Sequence, residues 1–223
     1  MITPAYYAFL DELKQNMNRP WFKANRERFE RDVFRPFELL VGYVMESLRR
    51  DMDLPPMIQP RDLMFRFYRD TRFSADKSPY KLWMGAVVSK GGRKNDRYPE
   101  LYFQLGADEN FIGTGLYRPS KEMLFRIREA IHRNPARIRA IHEDPLLRRF
   151  FPEGLLGERN KRLPFKEWME TAAKEPLILN KRFYTYRTYP RETFLGDPSE
   201  FIAAHFHAME AWNKFLLEIS KNI

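Results

Sequence analysis

Hydrophobic residues recur at three- and four-residue spacing through the N-terminal part of the chain, which is the pattern of helices that bury one face. Pro4, Pro20 and Pro36 each stand where such a pattern begins, and proline is favoured in the first turn of a helix. The segment "DLPPMIQP", residues 53–60, then interrupts the pattern with proline. We therefore predict a helical N-terminal part over residues 1–52.

Short apolar and alternating segments replace the helical spacing over residues 61–118. "LMFRFY", "KLWMGAVVSK", "ELYFQLG" and "FIGTGLY" are each typical of a strand, and alternation in the third puts Leu101, Phe103 and Leu105 on one face. The last three segments follow one another with short links. This order favours an antiparallel meander over a doubly wound parallel sheet.

Helical spacing returns in the C-terminal part, residues 119–223. Ser120, Asn134, Asp144 and Asp197 each fit a helix cap, and the last three are directly followed by proline. "FFPEGLLGERNKRLPF" has no regular spacing, whereas "PLILNKRFYTYRTYP" predicts one further strand. This part is therefore predicted as helices plus one strand, and it ends in a single amphipathic helix.

Together these elements predict an α+β fold, in which a mostly antiparallel sheet packs with N-terminal and C-terminal helices. The length of 223 residues fits one large domain. The sequence contains no internal repeat and no linker long enough to divide it. We predict a single domain over residues 1–223, and the sequence leaves its oligomeric state open.

The chain is basic, with 39 Lys and Arg residues against 30 Asp and Glu residues and a formal net charge of +9. A basic surface attracts nucleic acid, anionic membranes or phosphorylated small molecules. Cysteine is absent, which excludes disulfides, thiolate zinc sites and a cysteine nucleophile. No apolar run reaches the roughly 18 residues of a membrane span, and "MITPAYYAFLDELKQ" lacks the apolar region of a secretory signal. We therefore expect a cytoplasmic protein without a membrane partner.

Motifs for metals and cofactors are missing from the sequence. The four histidines include no pair at i, i+4 spacing, so we predict no metal site and expect these histidines at the surface or in caps. "GTGLY", residues 113–117, lacks the third glycine of a dinucleotide fingerprint and is better interpreted as strand glycines beside another backbone. The sequence identifies no cofactor.

Charge is most concentrated in "FRFYRDTRFSADKSPYK", residues 65–81. Alternation places Phe67 and Arg69 on one face of a strand, and Arg66 and Tyr68 on the other. Burying an unpaired charge costs several kcal/mol or more, so we expect an arginine here to have an acidic partner.

The second half of this stretch, "SADKSPYK", predicts an ordered loop. Ser74 and Asp76 are placed to bond backbone amides two residues further on, and Pro79 keeps Ser78 extended. Such a loop positions its cations at the end of a sheet.

Two interpretations of these charges stay open at the level of sequence. In the structural one, the ion pairs Arg69–Asp70 and Arg72–Asp76 hold the loop while its lysines are solvated. In the functional one, cations converge on a ligand. Residues 61–81 contain six basic and three acidic side chains, so three cations remain even if every carboxylate is paired.

A second basic block, "NKRFYTYRTYPR", alternates arginine with tyrosine. Arginine beside exposed aromatic rings suits phosphate binding together with stacking on a base. The alternative is a strand with one aromatic face in the core and one charged face in water. The two blocks together provide the predicted ligand-binding residues, which are Arg66, Tyr68, Arg69, Arg72, Lys77, Lys81, Arg182 and Arg187.

Residues 65–81 match the run F-R-x-Y-R-D-x-R-F-S-x-D-K-x-P-Y-K throughout. In this the chain resembles a widespread bacterial and fungal conserved-hypothetical family that has the run as its hallmark. "LKQNMNRPWFKANRERFE", "FIGTGLYRPSKEML" and "GERNKRLP" also resemble that family, so the resemblance covers nearly the whole chain. The family is classified only as a domain of unknown function. The resemblance implies a single α+β domain and no particular activity.

Three functions are compatible with these observations, and we favour the first. It is binding of a phosphate-bearing or other anionic ligand, a nucleotide or nucleic acid, with Tyr68 or Trp83 stacking on the base. The second is an enzyme for a phosphoester or another anionic substrate, in which Asp70 or Asp76 is the base or holds Mg²⁺ and Lys77 stabilises charge. The third is a protein-interaction module for an acidic partner.

Overall fold

The computed structural model describes residues 1–72 and 75–221, in which helices precede and follow a four-stranded antiparallel sheet along the chain. The α+β class is confirmed. Neighbouring strands of the sheet are also consecutive in sequence, so the first three form the predicted meander and the fourth pairs beside the third. The strands are β1 Trp83–Val88, β2 Glu100–Gly106, β3 Phe111–Leu116 and β4 Phe183–Thr188.

Many of the helices within the described residues begin at or next to a proline. They are α1 Pro4–Gln15, α2 Arg19–Ala24, α3 Arg26–Phe29, α4 Arg35–Ser47, α5 Pro60–Leu63, α6 Lys121–Arg133, α7 Pro135–His142, α8 Pro145–Phe150, α9 Lys166–Ala172, α10 Ser199–His207 and α11 Glu210–Ser220. Turns of 3₁₀-helix cover Gly92–Lys94, Pro176–Leu179 and Arg191–Phe194, and a π-helical turn covers Glu30–Phe34.

Side-chain caps explain several of these helix starts. The predicted caps at Ser120, Asn134 and Asp144 are confirmed, since each side chain accepts a hydrogen bond from a backbone N–H of the first turn. Asn18 does the same for α2. The π-helical turn has a different cause, because Pro36 lies two residues beyond its end and has no N–H to continue the α-helical hydrogen-bond pattern.

Two predictions for the C-terminal part are wrong in detail. "PLILNKRFYTYRTYP" is a strand only over β4, because Pro176 starts a 3₁₀ turn in which the Glu175 side chain accepts from the Leu177 N–H. The single terminal helix is interrupted between α10 and α11. There the Phe206 carbonyl accepts from the Met209 N–H at 3.1 Å and also from the Asn213 side-chain amide at 3.0 Å, so both donors cap the end of α10.

The described residues group into two compact units, each assembled from separate stretches of the chain. Unit 1 comprises Met1–Val88, Tyr102–Ile112 and Thr188–Ala203, and unit 2 comprises Ser89–Leu101, Gly113–Arg187 and Ala204–Ile223. Strands β2, β3 and β4 and helix α10 contribute residues to both units. The single domain over residues 1–223 stays a prediction.

Unit 1 buries an aromatic core between its helices and its part of the sheet. The predicted inward residues Phe103 and Leu105 of β2 are fully buried. Phe37 of α4 lies against Phe103 with ring centroids 5.6 Å apart, and the Tyr6 hydroxyl donates to the Leu105 carbonyl at 3.1 Å. The sheet is thus joined to α4 by packing and to α1 by a buried hydrogen bond.

Unit 2 has a separate core under α6, α11 and β4. Phe183 of β4 stacks on Trp212 of α11 with ring centroids 5.4 Å apart. His205 was expected at the surface, but it is buried against the rings of Phe150 and Phe151. That expectation is wrong because the apolar face of α10 includes this position. Within the described residues, no helix has both the length and the apolar character needed to cross a membrane.

Candidate functional site

Backbone pairing with the segment before β1 positions the strand–loop site, which we define as residues 65–72 and 75–83 of unit 1. The N–H groups of Arg69 and Lys81 each donate a 3.0 Å hydrogen bond to a carbonyl of the facing segment. The predicted strand "LMFRFY" therefore exists as isolated bridges in a hairpin-like pair rather than as a continuous strand. Ser74, which was predicted to bond the loop backbone, lies outside the described residues.

A cluster of aromatic rings anchors this site to α2 and α3. Phe22 stacks on Tyr80 with ring centroids 4.2 Å apart, and Phe29 contacts Phe67 at 4.5 Å. Both Phe67 and Tyr80 are buried, whereas Tyr68 between them on the other face is 56% exposed. Because the buried rings hold both segments, the charged side chains project from a packed base.

Two ion pairs hold the loop, but with partners exchanged relative to the structural interpretation. Arg69 Nη1 donates to Asp76 Oδ2 at 2.5 Å, and the Arg72 guanidinium donates to both Asp70 oxygens at 3.0 and 2.8 Å. The predicted pairs Arg69–Asp70 and Arg72–Asp76 are therefore wrong. Adjacent residues of an extended chain point to opposite faces, whereas residues two apart share a face, which brings Asp70 to Arg72.

Hydrogen bonds keep both carboxylates of the loop ionised. The side chain and N–H of Arg72 lower the pKa of Asp70 to about 2. Hydrogen bonding by Ser78, together with the positive charge of Arg69, holds the pKa of Asp76 below its ordinary value. A carboxylate with a lowered pKa is a weaker base, so this arrangement does not favour either residue as a general base.

Three cations of the site, Arg66, Lys77 and Lys81, form no ion pair with a carboxylate of the described residues, although the charge of Arg66 acts on Asp70 and helps to lower its pKa. Arg66 is exposed and makes no hydrogen bond within the described part of the chain. Lys77 Nζ donates to the Thr71 carbonyl at 2.9 Å. Lys81 Nζ lies 4.2 Å from the ring centroid of Trp83, so an aromatic face is its partner instead of an acid.

Lys81 stands among other positive charges. It is half-buried, and burial lowers its pKa, with further lowering by the charges of Arg66 and Arg69. The Nζ atom also lies 5.7 Å from the ring centroid of Phe65. Like charges held close together raise the free energy of the site, so a bound anion would lower it.

The described His, Asp and Glu side chains do not support a metal site. Among the described residues, no group of three or more His, Asp and Glu side chains is gathered closely enough to hold a metal ion. Asp70 and Asp76, the predicted metal-binding candidates, are each engaged by a different arginine.

Arg19 is a cation near the site that the sequence pattern around residues 65–81 does not indicate. It is exposed at the start of α2, and its charge acts on Tyr80, opposing the rise in pKa that burial causes there. A signal for it exists, because "LKQNMNRPWFKANRERFE" contains Arg19 and is one of the segments in which the chain resembles its family.

The remaining predicted ligand-binding residues, Arg182 and Arg187, belong to unit 2. Arg182 Cζ lies 4.6 Å from the ring centroid of Tyr117. Arg187 Nη1 donates to the carbonyls of Arg149 and Phe150 at 3.2 and 3.3 Å. The second basic block therefore belongs to the surface of unit 2 and not to the strand–loop site.

Residues 5–215 match the family model described as conserved hypothetical protein (DUF2461). The match covers most of the chain, so the protein belongs to this family, and the family description assigns no activity. A search among curated proteins finds no match to the sequence.

Proposed function

We propose that this member of the DUF2461 family binds a phosphate-bearing anionic ligand at the strand–loop site. The observation that carries the proposal is the grouping of Arg66, Arg69 and Lys81. The charges of Arg66 and Arg69 act on Lys81, and neither Arg66 nor Lys81 forms an ion pair with a carboxylate of the described residues, although the charge of Arg66 also acts on Asp70. An anion supplies the missing negative charge, and phosphate offers several acceptor oxygens.

The side chains of this site would contact different parts of the ligand. The exposed Arg66 guanidinium has all its donors available within the described part of the chain and suits a bidentate contact to phosphate. Lys81 supplies a half-buried point charge. Tyr68, more than half exposed beside Arg66, offers a ring for an attached base or sugar. A nucleotide is therefore the ligand we favour.

Arg69 and Arg72 have a different role in this proposal from the direct contact predicted for them. Each forms an ion pair with a loop carboxylate, and these pairs hold residues 69–72 and 75–76 in place. Replacing Arg69 or Arg72 would therefore displace the loop, and any loss of ligand binding would follow indirectly from that displacement. Lys77, tied to a loop carbonyl through one donor, keeps donors for a ligand.

The other two functions have less support. Phosphoester hydrolysis with Asp70 or Asp76 as the general base is disfavoured, because the pKa of both carboxyl groups is lowered and they are weaker bases. An acidic protein partner would use the same cations but has no need of the exposed Tyr68 ring. The cytoplasmic location stays a prediction.

Calorimetry and thermal unfolding with inorganic phosphate, sulfate and mononucleotides at constant ionic strength test the proposal. Ligand at a hundredfold its Kd adds about 2.7 kcal/mol to the free energy of unfolding, which for a chain of this size raises Tm by roughly 5–10 °C. We expect Arg66→Ala and Lys81→Met to weaken binding about tenfold or more each, since a hydrogen bond to a charged group contributes about 1.5–3 kcal/mol.

Arg50→Ala is the matched control, because Arg50 is an exposed arginine of unit 1 without an ion pair to a described residue. It removes the same charge and should leave phosphate affinity within about twofold. Two results would contradict the proposal: no Tm shift with any phosphate compound, or an equal loss of affinity in Arg50→Ala and Arg66→Ala.

A further inference from the structure

Unit 2 carries all of the net positive charge of the protein. Its three stretches contain 23 Lys and Arg residues against 13 Asp and Glu residues, a formal net charge of +10. Unit 1 contains 16 against 17, a formal net charge of −1. Charge asymmetry of this kind is typical of a chain in which one part meets a polyanion.

Backbone pairing places two basic segments of unit 2 side by side, and we call them the paired basic segments. They are "ERNKR", residues 158–162, and "NKR", residues 180–182. An antiparallel bridge joins them at Arg159–Asn180, and a second bridge just outside them pairs Leu156 with Tyr184. Two stretches about twenty residues apart in sequence thus form one continuous surface.

Most cations of the paired basic segments are available to a ligand. Arg159, Lys161, Arg162 and Lys181 are exposed, and Arg182 is half-buried. Within the described part of the chain, Lys181 alone of these five cations forms an ion pair, in which its Nζ atom lies 3.4 Å from Glu158 Oε2. The surface therefore keeps a high positive charge after its internal pairing.

An aromatic ring lies next to these cations. Tyr117 is 40% exposed, and Arg182 Cζ stands 4.6 Å from its ring centroid. Tyr184 meets the same ring edge-on, with centroids 5.0 Å apart. Arg118 Cζ is 5.9 Å from it. These neighbours constrain the Tyr117 ring, and the residue keeps 40% of its surface exposed to solvent.

We propose that this surface of unit 2 binds single-stranded nucleic acid, with phosphates on the paired basic segments and a base stacked on Tyr117. Bases in a duplex are already stacked, so a fixed and exposed ring favours a single strand. An acidic protein segment would satisfy the charge but has no base for Tyr117. The proposal stands independently of the strand–loop site in unit 1.

Fluorescence anisotropy of the full-length protein tests this with a labelled 20-nucleotide single strand, the same sequence as a duplex, and polyglutamate of similar charge. We expect the single strand to bind most tightly. Tyr117→Ala should weaken its binding about 5- to 150-fold, the effect of losing one stacked base. Tyr117→Phe should retain most of the affinity, because it keeps the ring.

The control is Lys214→Ala, which removes an exposed, ion-paired lysine from α11 of unit 2 and should change affinity less than twofold. Arg162→Ala should make the plot of log K against log salt less steep by about 0.7, the value for one phosphate contact on a single strand. Circular dichroism melts of each variant show whether it is folded.

Three results obtained with measurable binding would overturn the proposal. They are equal binding of polyglutamate and single strand, tighter binding of the duplex, and a folded Tyr117→Ala protein with unchanged affinity. Complete absence of oligonucleotide binding at low salt would overturn it as well. That result leaves the strand–loop site untouched, because phosphate binding there is tested separately by comparing the parent protein with Arg66→Ala.

Discussion

Replacing Gly157 by alanine should separate the paired basic segments. A Cβ atom at this position would stand 2.1 Å from the carbonyl oxygen of Arg182 and 3.0 Å from the side-chain nitrogen of Asn180. The first of these neighbours is backbone, so no change of rotamer relieves the overlap. One of the two segments must move, and the segment that contains residue 157 has little regular structure to hold it.

The expected loss of stability follows from the hydrogen bonds that cross between these segments. Four backbone bonds join residues 156–160 to residues 179–184, from Leu156 N to Tyr184 O at 2.6 Å, Tyr184 N to Leu156 O at 3.4 Å, Lys181 N to Glu158 O at 2.7 Å and Asn160 N to Leu179 O at 2.8 Å. Each contributes about 0.5–1.5 kcal/mol net, so complete separation lowers the free energy of unfolding by about 2–6 kcal/mol. Loss of only two bonds lowers it by about 1–3 kcal/mol.

Urea unfolding measures the loss of stability, and amide hydrogen exchange measures the separation of the two segments. In Gly157→Ala the amides of Lys181 and Tyr184 should exchange faster, because their acceptors have moved. Gly92→Ala is the control, since Gly92 has a φ of +60° but nothing within 4 Å of an added Cβ. It should cost only about 1–2 kcal/mol for the left-handed backbone and leave those amides protected.

A Gly157→Ala protein that unfolds at the parent's urea midpoint with the Lys181 and Tyr184 amides still protected would refute the predicted separation. The prediction also fails if Gly92→Ala exposes the same two amides, because the effect would then not come from the close approach at Gly157. A folded Gly157→Ala protein has a further use. Its paired basic segments no longer form one surface, so oligonucleotide affinity should fall along with amide protection.

Two predictions concern pH. Phosphate binding at the strand–loop site should weaken as pH rises, and the weakening should begin below the ordinary lysine pKa of 10.5, because the pKa of Lys81 is lowered and its charge is lost earlier. Calorimetry from about pH 7 to 10 checks this. The Lys81→Arg protein should keep its phosphate affinity over that range. Burial raises the pKa of Glu100 above 4.5, despite hydrogen bonds from Asn95 and from the Tyr117 N–H. The folded protein therefore holds this proton more tightly than the unfolded chain, and stability falls as pH rises from 4.5 through the raised pKa. Glu100→Gln should flatten that decline in urea midpoints, and an unchanged decline would refute the assignment.

Local signals in the sequence were enough to locate most helices and strands. Proline and capping residues such as Ser120, Asn134 and Asp144 act on the nearest turn of the chain, so their effect does not depend on distant contacts. Prediction was wrong where two local tendencies compete. The apolar "PLIL" has strand composition, but its leading proline and the preceding Glu175 side chain form a 3₁₀ turn instead.

The strand–loop site was located by sequence, but its internal contacts were not. Counting charges correctly indicated that cations would exceed carboxylates, because the count needs no geometry. The ion-pair partners depended on which side chains share a face, and the loop brought Arg69 to Asp76, seven residues away. Arg19 came near the site only through the packing of α2, by Phe22, onto Tyr80.

The sequence by itself determined the α+β class, the meander, the excess of positive charge and the family to which the chain belongs. Each of these depends on composition or on residues close together along the chain. Only the tertiary structure decided that the net charge lies in unit 2 and that residues 158–162 adjoin residues 180–182 beside Tyr117. Such contacts join distant parts of the chain, and the free energy that offsets their loop-closure entropy comes from the packing of the whole fold rather than from any local pattern.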